Sequence, residues 1–178
     1  MHNKILTNSK SDSKETSRSK PRNVLFLCTG NSARSILSEA LLNDLGQGRF
    51  LAWSAGSKPS GKPHPDGLAE LKKQGHVTDI YRSKSWDEFS QDGATEFDIV
   101  VTVCDNAANE VCPVFFGPGL KVHWPQPDPA HIEPLSARQA AFARTYEICK
   151  ARIEALLALP ADSLSDKTKL QEISKIKA

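Results

Sequence analysis

The chain has 178 residues, of which 39% are hydrophobic and 25% charged, with a formal net charge of +2. That is enough for one domain with its own core, without disulfides or metal as staples. The charge is too small to argue for nucleic acid, no run of about 18 apolar residues could span a membrane, and no apolar stretch forms a secretory signal.

Four cysteines without such a signal point to the reducing cytoplasm, where thiols are free, catalytic or metal-bound rather than paired. Residues 1–22 (MHNKILTNSKSDSKETSRSKPR) are Ser- and Lys-rich without periodicity and read as a disordered tail. Asn23 to Leu27 is an apolar run, as expected of a strand covered on both faces. From Arg34 to Leu45, apolar positions Ile36, Leu37, Ala40, Leu41 and Leu45 share one helical face, and Gly46 and Gly48 end it. Phe50 to Ser54 predicts a second strand closed by Ala55-Gly56. A Pro- and Gly-rich loop and a short helix stopping at Gly75 follow.

Phe97 to Val103 (FDIVVTV) predicts a third strand and Leu120 to Trp124 a fourth. Leu135 to Leu159 reads as a long helix with the stripe Phe142, Tyr146, Cys149, Ile153 and Leu156. The chain thus divides into a tail (1–22), a domain (23–159) and an extension (160–178) that adds a short helix or frays. Alternating strands and helices imply an α/β fold: one three-layer domain with a parallel sheet and helices on both sides. Ligands of such sheets sit at the carboxyl ends of the strands, and Cys28, Ser54, Cys104 and Asp128 all fall there.

The stretch VLFLCTGNSARS carries the chemistry. Cys28 and Arg34 bracket five residues, Thr29, Gly30, Asn31, Ser32 and Ala33, between a strand and a helix. Such a loop turns its amides inward, and the helix dipole adds positive field, so a tetrahedral oxyanion fits. Arg34 can grip two of its oxygens. The same field favours a thiolate, which makes Cys28 the candidate nucleophile with a lowered pKa. Ser32 or Ser35 could donate a hydrogen bond to that sulfur. The bland alternative is a core cysteine followed by a surface arginine, and the strand–loop–helix setting argues against it.

With CTGNSARS at Cys28, WSAG at Trp53 to Gly56, and Asp128-Pro129, the chain resembles the low-molecular-weight tyrosine phosphatase superfamily over most of residues 23–157. The resemblance implies a four-stranded parallel sheet, Cys28 as nucleophile, Arg34 as oxyanion clamp and Asp128 as general acid. Taken alone, Asp128 reads as an ordinary loop aspartate, although a carboxyl held between Pro127 and Pro129 could protonate a departing oxygen.

Two branches of that superfamily differ in VTVCDNAANEVCP, Val101 to Pro113. Phosphate-ester hydrolysis needs one thiol, because water resolves the phosphoenzyme. Arsenate reduction needs two electrons, so a second thiol must attack the first. Cys104 and Cys112 look like the resolving pair of the arsenate reductases of the superfamily. The resemblance implies a Cys28 adduct, a 28–104 disulfide, a 104–112 disulfide, and regeneration by thioredoxin or by glutaredoxin with glutathione. Eight residues of regular helix would hold Cys104 and Cys112 about 12 Å apart, so the segment must bend or partly unwind. Seven residues separate them here, Asp105 to Val111, against six in the thioredoxin-coupled relatives, which leaves the reductant open.

Space-filling cysteines are the alternative for both, and Cys149 reads as one; a zinc site lacks a partner pair. Some relatives bind potassium beside the loop, and Asn31, Glu39 and Ser54 match three of its ligand positions. Lys84 aligns with the fourth, and its ammonium is expected to replace the ion. The expected function is a cytoplasmic arsenate reductase of metalloid detoxification, with phosphate or sulfate as competing oxyanions and a monomer as the default. A phosphatase acting on phosphotyrosine or small phosphomonoesters through a Cys28 phosphoenzyme is the second reading. A non-catalytic oxyanion-binding or redox-sensing protein is the third. Ala130 stands where the phosphatases tend to place aromatic rings, which counts against phosphotyrosine.

Overall fold

In the computed structural model of the protein, residues 20–110 and 114–177 are described. The expectations for the tail up to residue 19 and for Cys112 lie outside the described residues.

Four parallel strands, β1 (Arg22–Cys28), β2 (Phe50–Gly56), β3 (Ile99–Thr102) and β4 (Leu120–His123), form one sheet in the order β2-β1-β3-β4. β1 is central, and its side chains alternate between two cores. Val24, Phe26 and Cys28 enter one apolar cluster, while Leu25 and Leu27 enter the other. That two-sided burial is why the strand reads as an uninterrupted apolar run.

The first face is covered by α1 (Arg34–Leu45) and α4 (Leu135–Ala158), with Leu71 of α2 (Pro65–Lys73) at the margin. Phe142, Tyr146, Cys149, Ile153 and Leu156 are all buried there, as the stripe predicts. Among the described residues, the second face carries no long helix. A 3₁₀ turn at Trp86–Phe89 covers it, with Phe97 meeting Trp53, Phe89 and Phe115 edge-to-face. Edge contacts of this kind fill a wide, shallow face with few residues, and they leave no helical period to read.

The strand after β1 pairs on one side of it and β3 on the other, so the chain switches direction between β1 and β3. The crevice at that switch is where an open sheet binds ligands. β1 ends there at Cys28, and Cys104 follows β3 as the N-cap of α3 (Asp105–Asn109), a helix the sequence leaves open between helical and looped. Residues 160–177 do not fray. They form two 3₁₀ turns around α5 (Lys167–Glu172) and bury Leu164, Leu170 and Ile173 in the main core. Among the described residues no helix is long and apolar enough to cross a membrane.

Candidate active site

The loop from Thr29 to Ala33 is shaped by what its carbonyls do. Those of Thr29, Gly30 and Ser32 accept from the amides of Lys58 (3.0 Å), Ser60 (2.9 Å) and His64 (2.8 Å), on the Pro-rich segment outside. With the carbonyls turned out, the amides are left facing in. Among the described residues none of these amides donates to a backbone carbonyl. α1 begins at once behind the loop, and its N-cap, Ala33, has no side chain to cap it. The open amides of the first turn therefore add to the nest.

Asn31 makes the turn possible. It takes φ +42°, the left-handed region that Asn tolerates, and is fully buried. Its Nδ2 donates to Ser35 Oγ (3.0 Å) and Ser54 Oγ (2.8 Å), and its Oδ1 accepts from the Lys84 amide (2.8 Å). Gly56 permits the close approach of β2, since a Cβ there would lie 2.3 Å from the Thr29 carbonyl oxygen. The glycine of the WSAG stretch is thus a steric requirement of the loop.

A cavity of about 470 Å³ opens over the loop, lined by Cys28, Thr29, Gly30, Ser32, Ala33 and Arg34 at its floor. Asn106, Asp128, His131, Lys62 and His64 also line it. The side chains of Asn31 and Ser35, expected beside the oxyanion, turn instead into the supporting network. Arg34 is half committed. Its Nη1 donates to the Gln126 carbonyl (2.9 Å) and its Nη2 to Asp128 Oδ2 (2.9 Å), while its buried Nε has no partner among the described residues. A buried guanidinium nitrogen left open is costly unless a ligand completes it.

Cys28 and Cys104 lie within hydrogen-bonding reach of each other, both almost completely buried. A hydrogen bond from Cys28 pulls the Cys104 thiol down to about 5. The Ala107 amide, 3.4 Å from its sulfur, and Thr29 Oγ1 at 3.6 Å reinforce that effect. Donating that bond pushes the Cys28 thiol up, and burial adds to this, against the Arg34 charge and the Gly30 amide. Against the expectation of a depressed Cys28, the two thiols titrate as a coupled pair in which Cys28 is raised and Cys104 lowered. Nor does Ser32 or Ser35 supply the donor to Cys28; the Gly30 amide does.

Glu39, Ser54 and Lys84 close the network behind the loop. Ser54 Oγ donates to Glu39 Oε2 (2.5 Å), and Lys84 Nζ lies 3.5 Å from the same oxygen and 3.3 Å from the Arg82 carbonyl. Burial pushes the Glu39 carboxyl up and the Lys84 ammonium down, and each opposes that shift in the other.

Sequence reasoning misses the cavity wall of Lys62 and His64, because the Pro-rich segment 57–65 carries no period or motif. It also misses Gln126, which acts on Arg34 through its backbone. Cys28, Arg34, Cys104 and Asp128 do converge.

Comparison with known proteins agrees with this geometry. The arsenate reductase of Halalkalibacterium halodurans is 33% identical over 132 residues, spanning 74% of this chain and 91% of its own. A solved arsenate reductase from Archaeoglobus fulgidus superposes with a TM-score of 0.55 at 27% identity, covering 74% of this chain and 98% of its own. The thioredoxin-dependent arsenate reductase of Corynebacterium glutamicum superposes at 0.51 with 25% identity, covering 76% and 63%. The profile of the low molecular weight phosphotyrosine protein phosphatases matches residues 23–170. With its sheet order, loop and matched length, the chain belongs to that family.

Proposed function

We propose that this protein reduces arsenate to arsenite. The observation that carries the reading is the second buried thiol: Cys104 sits beside Cys28 at the neighbouring strand end. A hydrolase has no use for it, whereas a reductase needs a thiol within reach of the first sulfur. The similarity to arsenate reductases supports the same choice.

In this reading Cys28 passes its proton to Cys104 as arsenate enters, and the Cys28 thiolate bonds to arsenic. Arg34 and the loop amides hold the remaining oxygens. Asp128 gives a proton to the leaving hydroxyl, which departs as water. Cys104 then attacks Cys28 Sγ, losing its proton to an arsenic-bound oxygen; the sulfur–arsenic bond breaks, its electron pair reduces As(V) to As(III), and a 28–104 disulfide remains. Cys112 then attacks Cys104, freeing Cys28 as thiolate and leaving a 104–112 disulfide. An external dithiol, thioredoxin or glutaredoxin with glutathione, takes up that oxidation. The thioredoxin-dependent relative favours the first.

The α3 helix is short, and its N-cap hydrogen bond is to the sulfur that reacts. Consuming the Cys104 thiolate weakens that cap, which loosens the segment leading to Cys112.

The donor set behind the loop does not fit potassium. Asn31 offers Ser54 an N–H rather than an oxygen, and the Lys84 ammonium already faces Glu39. Lys84 therefore serves as the built-in cation.

Phosphate-ester hydrolysis is the second reading, favoured by the same loop, Arg34 and Asp128. The cavity wall of Lys62, Pro63, His64, Pro65, Ala130 and His131 offers no Phe, Tyr or Trp ring to a phosphotyrosine, so small phosphomonoesters fit better.

NADPH oxidation with arsenate, in the presence of thioredoxin and its reductase or of glutaredoxin with glutathione, tests the reading. Turnover lost in Cys28→Ser, Cys104→Ser and Cys112→Ser is the expected result. Loss without Cys112 involvement assigns its step to an external thiol. No turnover with either system, beside brisk ester hydrolysis, overturns the reductase in favour of the phosphatase.

A further inference from the structure

Arg152 of α4 is buried, 4% exposed, and meets no carboxylate among the described residues. Burial pushes its guanidinium down from its ordinary value. Its partners are four backbone carbonyls. Nη1 donates to Trp124 (2.9 Å) and Pro125 (3.0 Å), Nη2 to Ser174 (2.8 Å), and Nε to Ile176 (3.2 Å). One buried cation therefore ties two segments together: the exit from β4, and the turn after α5. Breaking such a charge-assisted set leaves polar atoms buried without partners.

Three further bonds run between the same segments. Gln171 of α5 donates from Nε2 to the His123 carbonyl (2.6 Å) and accepts at Oε1 from the His123 amide (2.9 Å), as a neighbouring strand would. The Trp124 indole Nε1 donates to the Leu170 carbonyl (2.9 Å). The exit from β4 is thus gripped at 123, 124 and 125.

What it leads to is the cavity. Asp128 lies three residues past Pro125, with Pro127 between them limiting φ. Gln126, in the middle, gives its carbonyl to Arg34 Nη1 (2.9 Å), and its side-chain amide packs on the buried Cys149 sulfur (3.2 Å). A shift of this short, stiff segment would move the Asp128 carboxyl and the anchor of Arg34 together.

We propose that Arg152 and Gln171, acting with the segment 160–177, are positioning residues for the Asp128 loop, holding its carboxyl where it can protonate a leaving oxygen. This rests on the reading of Asp128 as the general acid. Neither residue touches substrate. Their effect should depend on how much the leaving group needs the proton.

The test compares phenyl phosphate with p-nitrophenyl phosphate in wild type, Gln171→Ala, Arg152→Met and Asp128→Asn. In each reaction the Cys28 sulfur bonds to phosphorus, the phosphorus–oxygen ester bond breaks, and the Asp128 proton goes to the departing oxygen. Nitrophenolate is a good enough leaving group to depart even when that proton is missing, and phenolate is not. Asp128→Asn should lower kcat on phenyl phosphate at least about tenfold more than on p-nitrophenyl phosphate. Gln171→Ala and Arg152→Met should show the same bias in milder form. Thermal unfolding run beside the assays separates this from partial unfolding, which lowers both rates equally. Gln171→Ala removes two hydrogen bonds at one side chain and carries the test alone should Arg152→Met not fold. Where wild-type ester hydrolysis is too slow to measure, arsenate turnover replaces it, with kcat expected to fall at unchanged KM.

Equal losses on both esters, or none, in Gln171→Ala beside a clear bias in Asp128→Asn overturn the positioning role while leaving the general acid standing. No bias in Asp128→Asn removes the general acid, and the positioning role falls with it.

Discussion

Arg34 and Asp128 line the same cavity and meet Nη2 to Oδ2 at 2.9 Å, while among the described residues Arg34 Nε has no partner. An entering oxyanion completes the open nitrogen but competes with the Asp128 carboxylate for the fork. Asp128→Ala should thus hold or tighten phosphate binding, measured by titration calorimetry, because a competing charge is gone. The same variant should lose about 10²–10⁴-fold in kcat for arsenate. Weaker phosphate binding in the variant would show that Asp128 orients Arg34 rather than competing with the ligand.

The coupled titration of Cys28 and Cys104 has a pH signature. The folded-state Cys104 value, about 5, lies below the thiol value of 9.0. Its contribution to stability is therefore fully present above 9 and is lost as pH falls through about 5. Ultraviolet thiolate absorbance should rise by one thiolate through that lower value, and Cys104→Ser should abolish the step. Denaturant midpoints should climb between the two values in wild type and climb less in the variant. A thiolate step that survives Cys104→Ser would place the charge on Cys28.

Lys84 and Glu39 are a buried pair, with side chains 6% and 10% exposed. Lys84→Met leaves the carboxylate without its cation and should cost about 3–5 kcal/mol at neutral pH. Burial already raises the Glu39 carboxyl, so the folded state holds its proton more tightly than the unfolded chain does. Stability consequently falls as pH rises through that raised value. Without the ammonium, the chief lowering influence is gone, so the deficit should shrink as pH falls and Glu39 takes up its proton. Wild-type turnover should be equal in potassium and sodium buffers; a potassium requirement would contradict the role given to Lys84.

Gly56 is held by space alone. Gly56→Ala sets a methyl against the Thr29 carbonyl oxygen, 2.3 Å from the ideal Cβ position, in a loop whose carbonyls are already committed. The backbone must shift, at a cost of about 1–3 kcal/mol. Phosphate affinity by calorimetry should fall at least about tenfold, since the nest amides turn with the carbonyls. Unchanged affinity in a folded variant would mean the loop adapts without moving its amides.

What the sequence determined by itself was whatever local periodicity or a continuous motif encodes. The helix Arg34–Leu45 matches its expected bounds, and α4 ends one residue short of its expected Leu159, because apolar spacing at 3.6 residues needs no partner to be read. The loop from Cys28 to Arg34 is legible for the same reason, since its amides and its arginine come from one stretch of chain. Trp86–Phe89 escaped because edge-to-face aromatic packing leaves no period. Tertiary structure alone decided the rest. The lowering of the Cys104 thiol depends on Cys28, which the sheet sets beside it, and on Thr29, seventy-five residues from Cys104. The carbonyls gripped by Arg152 lie 22 to 28 residues away on both sides of it, and backbone oxygens carry no residue identity to read. Electrostatics and buried hydrogen bonds act across space rather than along the chain, and only the folded sheet brings those groups together.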